Sequence, residues 1–144
     1  MITYKEIKQS GGFNYWYGDN LVSMKKVLTK ADTIIEEDNV EVFYMKNMFL
    51  NSKDVELYLF CKDDRIFKLS TDKEFIITAL LDKNNIAKVD IKEKYRDSRE
   101  KMLEIKFKDN EVFMFDSKND TNEDYSSDLA SSIEHIFKYL SLCK

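Results

Sequence analysis

The spacing of apolar and polar positions predicts a series of short β-strands in the middle of the chain. A strand that is half-buried in a sheet turns every second side chain towards the core. This two-residue alternation occurs over residues 55–61, 87–92 and 103–108. Four further segments bring the predicted number of strands to seven, namely 40–46, 65–69, 75–81 and 111–116. Because residues 75–81 are apolar at almost every position, we expect that strand to be covered on both faces.

The polar clusters between these segments predict turns and therefore an antiparallel meander. The only glycines are Gly11, Gly12 and Gly18, so turns later in the chain need other residues. Asn and Asp adopt left-handed backbone conformations more readily than other non-glycine residues, and they recur between the predicted strands. The pair Asp109-Asn110 has the length and composition of a tight hairpin turn.

Both ends of the chain show a helical period instead. The C-terminal stripe has the spacing of one helix face, and it consists of Leu129, Ile133, Ile136, Phe137 and Leu140. We predict a helix over about 122–142, with Thr121 and Asp124 as an approximate capping box. A second helix is predicted around residues 21–31. Residues 1–18 are ambiguous, and 4–9 fit either a short strand or a helical turn.

This order of elements is similar to the pleckstrin-homology-like (PH-like) superfold. The resemblance covers about residues 40–142 and rests on the segment 103–115 leading into 125–140. It implies an α+β fold in which a seven-stranded antiparallel curled sheet or barrel is capped by a C-terminal helix, here with an added N-terminal helix. The alternative is the helix-grip fold of START-like proteins, with residues 2–9 as a strand and 20–36 as an inserted helix. We expect residues 1–144 to form a single domain, with 1–39 as an aromatic segment plus helix and 40–142 as the PH-like core.

Composition narrows the cellular setting and the class of partner. The 144 residues carry a net charge of −4, so no general attraction to nucleic acid is expected. The longest apolar stretch has seven residues and is too short to insert into a membrane. Cys61 and Cys143 are far apart, which favours two reduced thiols in a cytoplasmic protein. The absence of Pro and the abundance of Asn, Ile and Lys indicate an AT-rich bacterial genome.

The residue types that usually carry catalysis or metal binding are sparse. His135 is the only histidine, and no nucleophile elbow or phosphate-binding glycine loop is present. Residues 116–124 resemble a calcium loop but lack its central Gly and its terminal Glu. The run 92–101 holds Arg96 and Arg99, but its opposite charges are interleaved. We therefore expect neither an enzyme nor a metal site, and no cofactor.

Aromatic residues are the candidate contacts for a partner. The glycine-flanked segment 11–18 contains Phe13, Tyr15, Trp16 and Tyr17, which could anchor a partner or could instead plug the sheet or cover the N-terminal helix. If the aliphatic residues of 55–61 face inwards, Tyr58 and Phe60 face outwards. Those two residues could then line a dimer interface or lie under the N-terminal helix.

The sequence thus favours a non-catalytic bacterial protein of the cytoplasm that binds an unknown protein or peptide or acts as a scaffold. An exposed edge strand would allow such a module to bind by β-augmentation, and a homodimer is also possible. The alternative function is a carrier of small hydrophobic ligands, built on the helix-grip fold. A cavity above about 300 Å³ with apolar walls would favour the carrier.

Overall fold

The chain folds into two antiparallel sheets and three helices in a computed structural model, which describes residues 3–9, 19–50 and 53–142. The first sheet has the order β1-β2-β3-β4, and the second has the order β5-β6-β7. The strands are β1 (Val40–Lys46), β2 (Glu56–Cys61), β3 (Arg65–Asp72), β4 (Phe75–Asp82), β5 (Ile86–Lys94), β6 (Asp97–Phe107) and β7 (Val112–Asp116). The helices are α1 (Tyr4–Gln9), α2 (Asp19–Ile34) and α3 (Ser126–Ser141). The predicted α+β class and the order of strands and helices are therefore confirmed.

The first sheet is covered on both faces, which explains why β2 is buried along most of its length. On one face, Tyr4 of α1 lies 5.8 Å from Phe43 between ring centres, and the Ser23 hydroxyl of α2 is 3.0 Å from that of Thr71. On the other face lie the second sheet and α3. The predicted stripe of α3 is buried there at Leu129, Ile133 and Ile136.

Aromatic side chains fill the space between the two sheets. Tyr44 stacks on Phe115 with a centroid separation of 4.3 Å. Tyr58 meets the same ring edge-on at 4.7 Å, and Phe60 lies 6.3 Å from it. Tyr58 and Phe60 are thus buried in the core, so the prediction that they face outwards is wrong. Neither side chain is left exposed for a dimer interface, and the residues that cover them belong to β7 and α3, not to the N-terminal helix.

Strand β4 also differs from its prediction. It is the last strand of the first sheet, and apolar side chains on both of its faces are exposed, whereas we expected cover on both faces. The chain turns away after β4 through a short 3₁₀ segment, Lys83–Asn85, and β5 then begins the second sheet. The two sheets consequently do not close into the barrel that the PH-like resemblance implied.

The loop between β7 and α3 is fixed to β1 by buried polar groups. The Tyr44 hydroxyl donates to Asp120 Oδ2 at 2.8 Å, and the backbone N–H of Asp116 donates to the same oxygen at 2.7 Å. The Thr121 hydroxyl donates to the carbonyl of Met48 at 2.7 Å. Thr121 therefore does not cap α3, which begins at Ser126, four residues after the predicted start.

The N-terminal residues distinguish between the PH-like fold and the helix-grip fold, which the sequence left as alternatives. Residues Tyr4–Gln9 are helical, so the first strand that the helix-grip alternative requires is not formed. Hydrogen bonds between Thr3 and Glu6 explain the helix start: the Thr3 hydroxyl accepts from the backbone N–H of Glu6 at 3.1 Å, and the backbone N–H of Thr3 donates to the Glu6 carboxylate at 3.4 Å. This reciprocal arrangement is a capping box.

Most of the non-glycine residues with positive φ are Asn or Asp, as the sequence predicted, but two are not. Asn47, Asp64 and Asn110 have positive φ angles, as expected for Asn and Asp. Phe49 and Lys73 also have positive φ, at 64° and 55°, although neither residue type favours it. Lys73 lies in the two-residue turn between β3 and β4, where Asp72 pairs with Phe75. That tight turn imposes the left-handed conformation on a residue with a Cβ atom.

We therefore expect Lys73→Gly to raise the free energy of unfolding by about 0.5–1 kcal/mol, because glycine adopts positive φ without a steric penalty. Chemical denaturation measures the change. Lys73→Ala is the matched control, since it removes the same charge and keeps the Cβ atom. A glycine variant that is no more stable than the alanine variant would mean that the turn is unstrained.

Candidate functional site

The outer edge of β4 is the candidate binding surface of this fold. Along its eight residues β4 pairs with β3 without a bulge, from Arg65 opposite Asp82 to Asp72 opposite Phe75. Within the described part of the chain no strand pairs with its other edge. Backbone N–H and C=O groups on that edge are therefore available to an added strand.

The side chains of β4 make this edge apolar as well as open. Phe75 and Leu80 are 66% and 62% exposed, and Ile76 and Ile77 are also exposed. Ile76 and Leu80 lie on the face that carries α2, because Ile76 pairs with Thr71 and Leu80 with Phe67. Phe75 and Ile77 lie on the opposite face. An extended segment paired with β4 could place apolar side chains beside these residues on both faces.

Several common protections of an edge strand are missing here. Natural edges are often blocked by a charged residue, a proline or a bulge. No charged residue lies between Glu74 and Asp82, and the chain contains no proline. A long apolar edge without these features favours pairing with another strand.

The charged hairpin between β5 and β6 is largely neutralised by its own ion pairs. Lys94 contacts Glu100 at 2.9 Å, and the Arg99 guanidinium contacts Asp97 at 3.0 Å and holds the pKa of that carboxyl below its usual value. Lys101 contacts Glu93 and Glu134, each at 2.9 Å, which raises its pKa. Three of the cations that could bind an anion in this run are therefore already paired.

His135 and Cys61 are two titratable residues from the sequence analysis that lie in the described part of the chain. His135 Nε2 lies 3.5 Å from the Glu41 carboxylate, and both side chains are exposed. The described residues contain no group of three or more His, Cys, Asp or Glu side chains placed to hold a metal ion. Cys61 is a free, buried thiol, and its desolvation raises its pKa to about 11, so it stays protonated near neutral pH. Cys143 lies outside the described residues.

The structure describes only some of the residues that the sequence predicted as contacts. Phe13, Tyr15, Trp16 and Tyr17 lie outside the described residues, so their predicted role stays a prediction. The exposed apolar residues of β4 were missed as contacts, although their signal was present in the sequence. A run that is apolar on both faces of a strand fits a central strand that is covered on both faces, and it fits an exposed edge strand equally well. Only the position of the strand in the sheet distinguishes these two cases.

The fold and this surface together define an α+β protein of two stacked sheets that presents an open, apolar edge strand. The chain belongs to the DUF3908 family, whose description is "Protein of unknown function" and whose model matches residues 3–130. No curated protein and no solved structure matches the chain. Among the described residues, no helix has the length and hydrophobicity needed to cross a membrane.

Proposed function

We propose that this protein is a non-catalytic interaction module that binds an extended segment of a partner protein along β4. The observation that carries the proposal is the open edge of β4 with exposed apolar side chains on both faces. Backbone hydrogen bonds to the edge would provide affinity, and the apolar side chains on each face would select the residues of the partner. We place this module in the bacterial cytoplasm, as its composition favours.

We also propose that the fold is a variant of the PH-like superfold, and the order of elements supports this. In chain order, the four strands of the first sheet are followed by the three strands of the second sheet and then by α3. Helix α3 packs on β6 and β1. The open edges at β4 and β5 are what distinguishes this chain from a closed barrel.

The filled interior favours a binding module over a carrier of hydrophobic ligands. A carrier needs an enclosed apolar cavity in its core. Here the rings of Tyr44, Tyr58, Phe60, Phe113 and Phe115 occupy the space between the sheets.

We propose the aromatic residues before α2 as further contacts for the partner. Phe13, Tyr15, Trp16 and Tyr17 precede the start of α2 by a few residues. The Ser23 hydroxyl of α2 bonds with that of Thr71, which lies opposite Ile76 of β4. Only a few residues of chain separate them from Ser23, which lies beside the first sheet, and this supports a contact role for them.

We expect Leu80→Lys to abolish binding of an extended peptide while changing the free energy of unfolding by no more than about 0.5 kcal/mol. Leu80 is exposed, so its loss costs little packing, whereas a lysine on the edge opposes strand addition. The probe is a peptide selected on the purified protein from a random library of twelve residues. Calorimetric titration measures its affinity, and amide hydrogen exchange measures new protection along β4.

Tyr95→Lys is the control for this prediction, because Tyr95 is exposed at the distant β5–β6 turn. The proposal fails if the selected peptides protect amides elsewhere, or if both variants bind the peptide equally well. Sedimentation of the protein alone tests whether a second copy of the chain pairs with this edge. A dimer that Leu80→Lys dissociates would show that a second copy, not a partner peptide, pairs with β4.

A further inference from the structure

The apolar run of β4 has an acidic residue at each of its ends. Glu74 lies in the turn immediately before the strand, and Asp82 is the last residue of the strand. Both residues are exposed, and residues 75–81 between them carry no charge. A strand that is added to this edge therefore has a carboxylate beside each of its ends, whichever direction it runs.

The cations that lie close to Asp82 are engaged elsewhere. Arg65 is opposite Asp82 in the β3–β4 pair, but its guanidinium contacts Asp63 at 2.7 Å. The Lys83 ammonium donates to the carbonyl of Tyr139 in α3 at 3.2 Å and lies 4.3 Å from the centre of that ring. Among the described residues Asp82 takes part in no ion pair, so its charge is available to a partner strand.

The same two carboxylates disfavour a second copy of the chain as the occupant of this edge. Two antiparallel copies of β4 overlap most fully when Thr78 lies opposite Thr78 of the other copy. In that register Glu74 of each copy lies beside Asp82 of the other copy. Like charges that face each other across a strand pair destabilise it, whereas opposite charges stabilise it. The edge therefore favours a segment of different sequence with positive charges at these two positions.

We propose, on the basis of the peptide-binding function proposed above, that the partner segment has a basic residue on each side of an apolar core of about seven residues. The core pairs with residues 75–81, and its two flanking lysine or arginine side chains lie beside Glu74 and Asp82. The spacing follows from β4, because positions 74 and 82 are about 27 Å apart at the rise of an antiparallel strand. The flanking charges contribute to the choice of partner more than to affinity.

Selection from the random library of twelve residues tests this pattern. We expect the selected peptides that protect the amides of β4 to carry lysine or arginine on both sides of an apolar core. Peptides that protect β4 but lack this pattern would refute the basic flanks and leave the proposed function intact. Peptides that protect amides elsewhere would refute the proposed function itself.

Reversal of the flanking charges measures their effect on affinity. In the tightest β4-binding peptide, replacing both flanking basic residues by glutamate is expected to lower the affinity at least about tenfold at low salt. Raising the sodium chloride concentration from 0.05 to 0.5 M should reduce this difference at least about threefold, because salt screens exposed charges. A smaller difference, or one that salt does not change, would overturn the inference.

A double variant, Glu74→Gln with Asp82→Asn, locates the charges on the protein. It is expected to bring the affinities of the basic and glutamate peptides within about twofold of each other. Asparagine keeps a side-chain oxygen that can accept from the backbone N–H of Asn84, as Asp82 does at 2.8 Å, so the turn after β4 is preserved.

The matched control is Glu36→Gln with Asp38→Asn. It removes the same two charges from exposed residues that precede β1, the opposite outer strand of the first sheet. We expect the control to keep the preference for the basic peptide at least about tenfold. Equal losses of preference in both double variants would indicate attraction to the overall negative charge and would refute the assignment to Glu74 and Asp82.

Discussion

Phe115→Ala is expected to lower the free energy of unfolding by about 3–5 kcal/mol, the largest loss that we predict for a single substitution. Phe115 is fully buried between the two sheets. Its ring contacts Tyr44, Tyr58, Phe60 and Phe113, so removing it leaves a cavity that rings from both sheets would have to fill. Aromatic rings in fixed stacked or edge-on geometries cannot close such a space without losing their own contacts.

Chemical denaturation monitored by circular dichroism measures this loss. Met114→Ala is the matched control, because Met114 is the neighbouring residue of β7 and its side chain is partly exposed on the outer face. We expect the control to cost less than about 1 kcal/mol. If Phe115→Ala also costs less than that, the space between the sheets is loosely filled, which is what the ligand-carrier alternative requires.

Asp120→Ala is expected to lower the free energy of unfolding by about 3 kcal/mol, which is the second largest effect. Asp120 is 4% exposed, and its Oδ2 accepts from the Tyr44 hydroxyl and from the backbone N–H of Asp116. Alanine would leave both donors without this acceptor inside the protein. The loop that joins β7 to α3 would also lose one of its attachments to β1, beside the bond from Thr121 to Met48.

Asp120→Asn separates the hydrogen bonds from the charge. The amide oxygen can still accept from both donors, so we expect a smaller loss than for alanine. Burial raises the pKa of Asp120 above its usual value, so folding favours its protonated form. The wild-type protein therefore loses stability as the pH rises through this raised pKa, and the asparagine variant does not.

Denaturation of both proteins at pH 4 and at pH 7 tests this pH dependence. The advantage of the wild type over Asp120→Asn is expected to be larger at pH 4 than at pH 7, because only the wild type gains from proton binding. An advantage that grows towards pH 7 would show that the ionised carboxylate stabilises the fold, contrary to the direction of the pKa shift.

The local patterns of the sequence were sufficient for the elements and their order. Strict alternation over 103–108 matches strand β6, and the 3.6-residue stripe through Leu129 and Ile133 matches α3. Both signals depend only on which side of an element meets water, and each element covers that stripe in the folded protein. The start of α3 was less accurate, because the hydroxyl of Thr121 bonds to Met48, which is distant in the sequence.

The sequence alone could not show which face of a strand meets which layer. Tyr58 and Phe60 alternate with aliphatic residues, but both sets are buried because α2 covers one face and the second sheet covers the other. The same ambiguity affected β4. Its apolar run is compatible with a doubly covered central strand, and only the break between the two sheets after β4 leaves it exposed.

The sequence by itself therefore determined the α+β class, seven antiparallel strands and the amphipathic face of the last helix, since these follow from short-range periodicity. The tertiary structure alone decided that β4 is an open edge, that Asp120 is shielded from water and that Tyr58 and Phe60 are buried between the sheets. Each of these depends on groups distant in the chain that come together only when the layers pack. Burial and the position of a strand in its sheet are properties of that packing, and local sequence does not encode them.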